Sequence, residues 1–287
     1  MKALLNFSVS VLYYVCFGFL LSFFHVIQWI GFYIIGKKAQ KAAVDVLNFF
    51  LLKCLLIIGS KISFENPFIL PKDRSIIFVA NHQSTYDVPP IIWHFRKYNA
   101  KFVSKKELGK GIPSISFNLR HGGSVLIDRK NQKKALKDIE NFGKDLARKK
   151  HSAVIFPEGT RSRDGIVKPF HKSGLLILMK NMPNAVIVPL SIGNSWKFAF
   201  NNYFPMPLGV NLKVTVHKPI EIIEGSHEEL INIIEKIIHT TKYLDENKIV
   251  NKYNKNNIKD FDIADANIRI SMINSSYGIY NNIDGTN

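Results

Sequence analysis

Charged positions divide the chain into stretches of different character. Residues 3–36 form a run of 34 with no Lys, Arg, Asp or Glu, dominated by Leu, Phe, Val, Ile and Tyr. A helix that crosses a bilayer core needs about 20 such residues. The run therefore predicts an apolar, helical membrane-anchoring segment, either a full span or a hairpin that dips in and returns. It is much longer than the ~7–15 apolar residues of a signal peptide, and no small-residue cleavage site ends it. Lys37, Lys38 and Lys41 follow it and favour the cytoplasmic surface, although Lys2 at its start weakens that bias. A second apolar stretch, 44–59, is interrupted by Asp45 and Lys53, which predicts an amphipathic helix lying at an interface or packed on the protein.

Downstream the period changes. Short β-branched, apolar runs at 75–80, 101–104, 124–127, 153–156 and 186–190 predict buried strands, and the alternation over 210–217 predicts a later, half-exposed one. Helical patterns lie at 88–98, 107–120, 132–149, 173–181 and 228–243. Strands that alternate with helices predict an α/β layered domain with a mixed, largely parallel sheet. From 246 the chain is rich in Asn without a clear period, which predicts a loosely packed or disordered tail. The expected organisation is a membrane-attachment segment over 1–60, an α/β domain over 61–245, and the tail over 246–287.

Composition sharpens this picture in two places. The net charge is +17, yet from Asp245 onward five Lys/Arg face six Asp/Glu, so the basic excess belongs to the first 244 residues. Such an excess suits nucleic acid or an anionic membrane surface, and the apolar N-terminal run favours the membrane. The two cysteines, Cys16 and Cys54, both lie in apolar stretches with no metal-ligand partner at useful spacing, as buried small hydrophobes do.

The polar residues that follow the strands carry the candidate chemistry. After the first comes Asn81-His82-Gln83-Ser84-Thr85-Tyr86-Asp87. A carboxylate bonded to one imidazole nitrogen fixes the tautomer and leaves the other free as a base. Gly123 to Arg129 is an apolar strand that ends in Asp128-Arg129, either a surface ion pair or a guanidinium fork placed to grip a phosphate. Phe156-Pro157-Glu158-Gly159-Thr160-Arg161-Ser162 turns sharply out of another strand, and Val188-Pro189 ends a fourth. In a parallel sheet these ends share one edge, so a base and two arginines converge. The chain has no Gly-x-Ser-x-Gly, no phosphate-binding Gly-x4-Gly-Lys-Ser/Thr and no Gly-x-Gly-x-x-Gly.

Together these blocks resemble the glycerolipid acyltransferase family. Asn81, His82 and Asp87 match its Asn-His-x4-Asp motif, Gly123 to Arg129 its second, Phe156 to Ser162 its third in full, and Val188-Pro189 its fourth. A Lys-x-Glu-Leu-like segment matches at Lys105 to Leu108, and a Phe-x-x-Gly-like one at Phe170 to Gly174, where Ser173 lengthens the spacing by one residue. The resemblance covers about 65–220. It implies transfer of a fatty acyl chain from acyl-CoA or acyl-carrier protein to the sn-2 hydroxyl of 1-acylglycerol 3-phosphate, giving phosphatidate. It implies His82 as general base, Asp87 as its orienting partner, and Arg129, Glu158, Gly159, Thr160, Arg161 and Lys105 at the acceptor. No metal, cofactor or nucleic acid is expected. The expected partners are membrane lipids and the two substrates, and the expected place is the cytoplasmic face of a bacterial cytoplasmic membrane. Glycerol 3-phosphate or another lysolipid as acceptor stays open, as does a metal-dependent lipid phosphatase built on His82, Asp87 and Glu158.

Overall fold

The computed structural model describes residues 2–245; the tail expected over 246–287 lies outside the described residues. The chain opens with α1 (Lys2–Ile30), extended by a wider helical turn over Gly31–Ile35, and α2 (Lys37–Cys54) packs back along it. Gly36, at φ +121°, makes the reversal, a conformation that residues with a Cβ rarely adopt. The apolar run is therefore one long helix, and the reversal comes at its end. The 32 residues Leu4–Ile35 are long and apolar enough to cross a membrane; an 18-residue stretch within them has a mean hydropathy of 2.0 and is 22% buried.

The distribution of polar groups on α1 is inverted relative to a helix on a soluble protein. Its protein-facing stripe carries the buried Ser10, Tyr13 and Gln28 together with Leu21 and Phe24, whereas Leu4, Phe7, Val11, Val15, Phe19 and Phe23 face outward. Ser10 Oγ accepts from the Met206 N–H at 2.9 Å, and the Ser114 N–H donates to His25 Nδ1 at 3.2 Å. Polar atoms turned inward and hydrocarbon turned outward suit a helix whose outer solvent is lipid.

Among the described residues eight strands form one sheet, ordered β1-β7-β6-β2-β5-β3-β4 with β8 also on β6. They are β1 (Lys61–Glu65), β2 (Ile76–Ala80), β3 (Lys101–Lys105), β4 (Val125–Ile127), β5 (Ala153–Ile155), β6 (Val186–Gly193), β7 (Asn211–Val216) and β8 (Ile220–Glu221). The run β6-β2-β5-β3-β4 is parallel, and β7 and β8 are antiparallel to β6. The central strand β2 is buried at every position, as a strand covered on both faces must be. One face packs on α5 (Gln132–Lys149), α6 (Lys172–Asn181) and α7 (His227–Asp245) through Ile77, Ile139, Leu146, Leu178 and Ile234. The other packs through Phe78, Phe95 and Val188, and joins Tyr13 of α1 and Cys54 of α2 in the same core. The first 60 residues thus share the domain's core.

Several elements depart from the pattern read in the sequence. The helix expected over 107–120 is a short turn at Lys106–Gly109 followed by α4 (Ile115–His121). Pro113 removes a backbone donor and disfavours helix just before it, and Gly111 at φ +83° breaks the path. The helix expected over 88–98 is α3 (Val88–His94) plus a tighter turn at Arg96–Tyr98. α2 begins at Lys37 rather than near 44, and Gln40 in its first turns is buried and donates to Asn118 at 3.2 Å. Val188-Pro189 does not end its strand: β6 runs on to Gly193. Pro189 falls between the stretches of β6 that pair with β8 (Val186–Ile187) and with β7 (Leu190–Gly193), a break in the ladder where a missing N–H costs little.

Candidate active site

The ends of β2, β3, β4 and β5 point the same way, and the site is built there. Asn81 leaves β2 and clasps the backbone of β6: its amide donates to the Ile192 carbonyl at 2.9 Å and its oxygen accepts the Ile192 N–H at 2.7 Å. His82 follows. Ser84 then caps the tight turn Thr85–Asp87, with Asp87 returning as the reciprocal acceptor, the capping-box arrangement.

This turn drives Asp87 into the interior, where it is fully buried. Buried carboxylates need partners, and both oxygens have them. Oδ2 accepts from His82 Nδ1 at 2.7 Å, from the Gln83 N–H at 2.6 Å and from the Ser84 N–H at 3.0 Å. Oδ1 accepts from the Ser195 hydroxyl, which also meets Ser84 Oγ at 2.6 Å. A carboxylate facing Nδ1 requires the proton on that nitrogen, which leaves Nε2 with a free lone pair. The His82 ring stacks on Phe156, centroids 4.2 Å apart, and its side chain keeps 19% exposure. A fixed base with a partly open outer nitrogen can take a proton from a bound hydroxyl.

The third motif holds His82 from the other side. Glu158 Oε1 accepts the His82 N–H at 2.6 Å and Oε2 the Lys168 N–H at 2.8 Å. The Ser162 N–H donates to the His82 carbonyl at 2.8 Å, and its hydroxyl does so at 3.1 Å. Glu158 is 1% exposed, and burial pushes its carboxyl up to about 7 against the pull of its two N–H donors. Its carboxylate faces these donors, so it braces the His82 loop from inside, whereas the family resemblance implies a place at the acceptor. Among the described residues no group of three or more His, Cys, Asp or Glu could hold a metal ion.

The cations sit further out. Arg161 Nη1 donates to the Tyr203 hydroxyl at 2.9 Å, and Lys168 Nζ to the Arg161 carbonyl at 3.1 Å. Exposed Arg129 donates to the Gly159 carbonyl. Gly159 has φ +68°, and a Cβ there would lie 2.9 Å from His171 Cδ2, so both conformation and space call for glycine. Asp128 does not pair with Arg129; it binds Lys106 Nζ at 2.5 Å, which frees Arg129 to reach the third motif. Thr160 and Lys105 are exposed. Ser195 and Tyr203 are site residues that the sequence does not announce. The capping spacing Ser-x-x-Asp at Ser84 and Asp87 is a readable signal, whereas Ser195 meets Asp87 across 108 residues of chain.

The family model described as Acyltransferase matches residues 61–193. The chain is 30% identical over 166 residues to the chloroplastic 1-acyl-sn-glycerol-3-phosphate acyltransferase BAT2 of Brassica napus, covering 55% of this chain and 44% of that one. It is 26% identical over 179 residues to the 1-acyl-sn-glycerol-3-phosphate acyltransferase of Borreliella burgdorferi, covering 62% and 69%. It spans about half the length of several plant relatives that it matches. Its fold resembles the crystal structure of the 1-acyl-sn-glycerophosphate acyltransferase PlsC from Thermotoga maritima, with a TM-score of 0.69 at 23% identity over 90% of this chain and all of that one. The matched segment contains His82, Asp87, Arg129, Glu158 and Arg161, and over it the chain is similar to acyltransferases.

Proposed function

We propose that the protein is a 1-acylglycerol-3-phosphate O-acyltransferase that takes its acyl chain from acyl-CoA or acyl-carrier protein. The observation that carries this reading is the 2.7 Å contact of His82 Nδ1 with a fully buried Asp87, which leaves Nε2 as the base. Nε2 removes the proton from the sn-2 hydroxyl of the acceptor. The hydroxyl oxygen attacks the thioester carbonyl, a C–O bond forms, and the tetrahedral oxyanion collapses with cleavage of the C–S bond. The imidazolium, stabilised by Asp87, returns its proton to the thiolate. The products are phosphatidate and the free thiol. Arg161 and Arg129 bind the acceptor phosphate, with Lys105 and Thr160 at the rim and Gly159 letting the substrate approach the backbone. The step needs neither metal nor cofactor, because His82 supplies the base and a thiolate is a good leaving group.

The outward apolar face of α1 and the basic charge support placing this chemistry at a membrane surface. Thioester donors are cytosolic and the acceptor is a lipid, so we assign the site to the cytoplasmic face of a bacterial cytoplasmic membrane. The test is thiol release by detergent-solubilised protein from palmitoyl-CoA or palmitoyl-carrier protein, with lysophosphatidate, glycerol 3-phosphate or no acceptor, with and without EDTA. Release that requires lysophosphatidate and survives EDTA supports the reading. Release only with glycerol 3-phosphate would reassign the acceptor, and loss of turnover in EDTA would favour a metal enzyme.

A further inference from the structure

The loop between β6 and β7 reaches Arg161 from the side of α1. Asn201, Asn202 and Tyr203 take left-handed φ values of 52°, 53° and 71° in succession. Asn tolerates that region, but a tyrosine there is strained and persists only when its surroundings hold it. Both ends of Tyr203 are held: its carbonyl accepts from the Tyr14 hydroxyl of α1 at 2.5 Å, and its own hydroxyl accepts from Arg161 at 2.9 Å. Beside it Phe204 stacks edge-on against Phe7 of α1, centroids 5.2 Å apart, and the Met206 N–H is bonded to Ser10. The backbone of the loop is thereby tied to the protein-facing stripe of α1.

Met206 turns into the core, but three other apolar side chains lie at the surface. Phe200 is 62% exposed, Leu208 47% and Phe204 39%, the last beside Phe7. Single exposed apolar residues are unremarkable, but Phe204 adjoins the outward face of α1 through its contact with Phe7, and Lys197 lies three residues before Phe200. Aromatic and aliphatic tips on a strongly basic chain match an anionic bilayer interface. From this, and resting on the acyltransferase reading above, we propose that residues 200–208 are a second lipid-contacting element, continuous with α1, which lets a lipid acceptor pass from an anionic bilayer to Arg161 and His82. Tyr203 is the joint: it connects the loop that meets the lipid with the arginine that meets the phosphate.

The test uses the full chain with Phe200→Ser and Leu208→Ser combined, two exposed positions outside the catalytic and phosphate-binding groups. With palmitoyl-lysophosphatidate presented in phosphatidylglycerol–phosphatidylcholine vesicles, the apparent KM should rise about fivefold or more with kcat unchanged, because apolar area is lost from the bilayer contact. With hexanoyl-lysophosphatidate as a soluble monomer, kcat/KM should stay within about twofold, because no bilayer contact is involved. Equal losses with both acceptors, or no change with either, would overturn the proposal. Phe200→Trp gives a readout independent of turnover. Quenching by brominated-chain lipids in the same vesicles should exceed that of the unsubstituted protein, and equal quenching would overturn the proposal even if the enzymatic reading stands. If the unsubstituted protein transfers no acyl chain to any acceptor, the enzymatic reading fails, and the quenching result alone decides whether this loop meets lipid.

Discussion

Asp87 and Arg129 stand at the same edge of the same sheet and are held in opposite ways. Asp87 is sealed inside, with four donors on its two oxygens. Arg129 is exposed and rests on one backbone carbonyl. The difference matches what the proposed reaction asks of each group. A base must be aimed before the substrate arrives, because misplacement costs rate directly. A phosphate clamp has to stay accessible, and exchanges its resting contact for the ligand's oxygens. Glu158 belongs with Asp87 by this criterion despite its place in the third motif, since its carboxylate faces inward.

Substitutions on the two sides should therefore separate kinetically. The largest effect is expected for Asp87→Asn, which keeps the shape but removes the charge that fixes the His82 tautomer. Turnover should fall about 10³-fold with acceptor KM little changed. Ser195→Ala removes one donor only and should lose about tenfold, the worth of one charge-assisted hydrogen bond. A rise in KM alone for either variant would break the distinction.

Glu158 gives a test through stability. Its carboxyl is raised to about 7 in the fold from an ordinary 4.5, so the folded protein binds protons more tightly there than the unfolded chain. Its contribution is full below about 4.5 and is lost as pH rises to about 7, by up to about 3 kcal/mol at ~1.4 kcal/mol per unit. Urea midpoints measured across that window should decline more steeply for the unsubstituted protein than for Glu158→Gln; equal slopes would show that this carboxyl titrates normally.

Among the outer cations, Arg161→Ala should raise acceptor KM about tenfold and leave kcat within a few-fold. Lys105→Ala, at an exposed position, should change KM less than about twofold. A change confined to the thioester donor in the Arg161 variant would remove it from the phosphate site.

What could be read from the sequence was what is local. The apolar run of α1, the helix over 132–149 and the central strands are written in contiguous periodicity, and His82 and Asp87 lie five residues apart. What escaped depends on distant partners. β1 is a short strand of mixed character whose pairing with β7 spans 150 residues. The place of Pro189 inside β6 depends on where β7 and β8 happen to pair. Ser195 shows no local sign of its bond to Asp87, and the inward turn of Glu158 depends on N–H groups from two other segments.

The most direct measurement compares the unsubstituted protein with His82→Ala in lysophosphatidate-dependent thiol release, with folding of the variant checked by its urea midpoint. The account predicts release that requires the acceptor and falls by about 10² to 10⁴ without the imidazole, in a protein that still folds. Release that persists within tenfold in a folded His82→Ala protein would contradict His82 as the base.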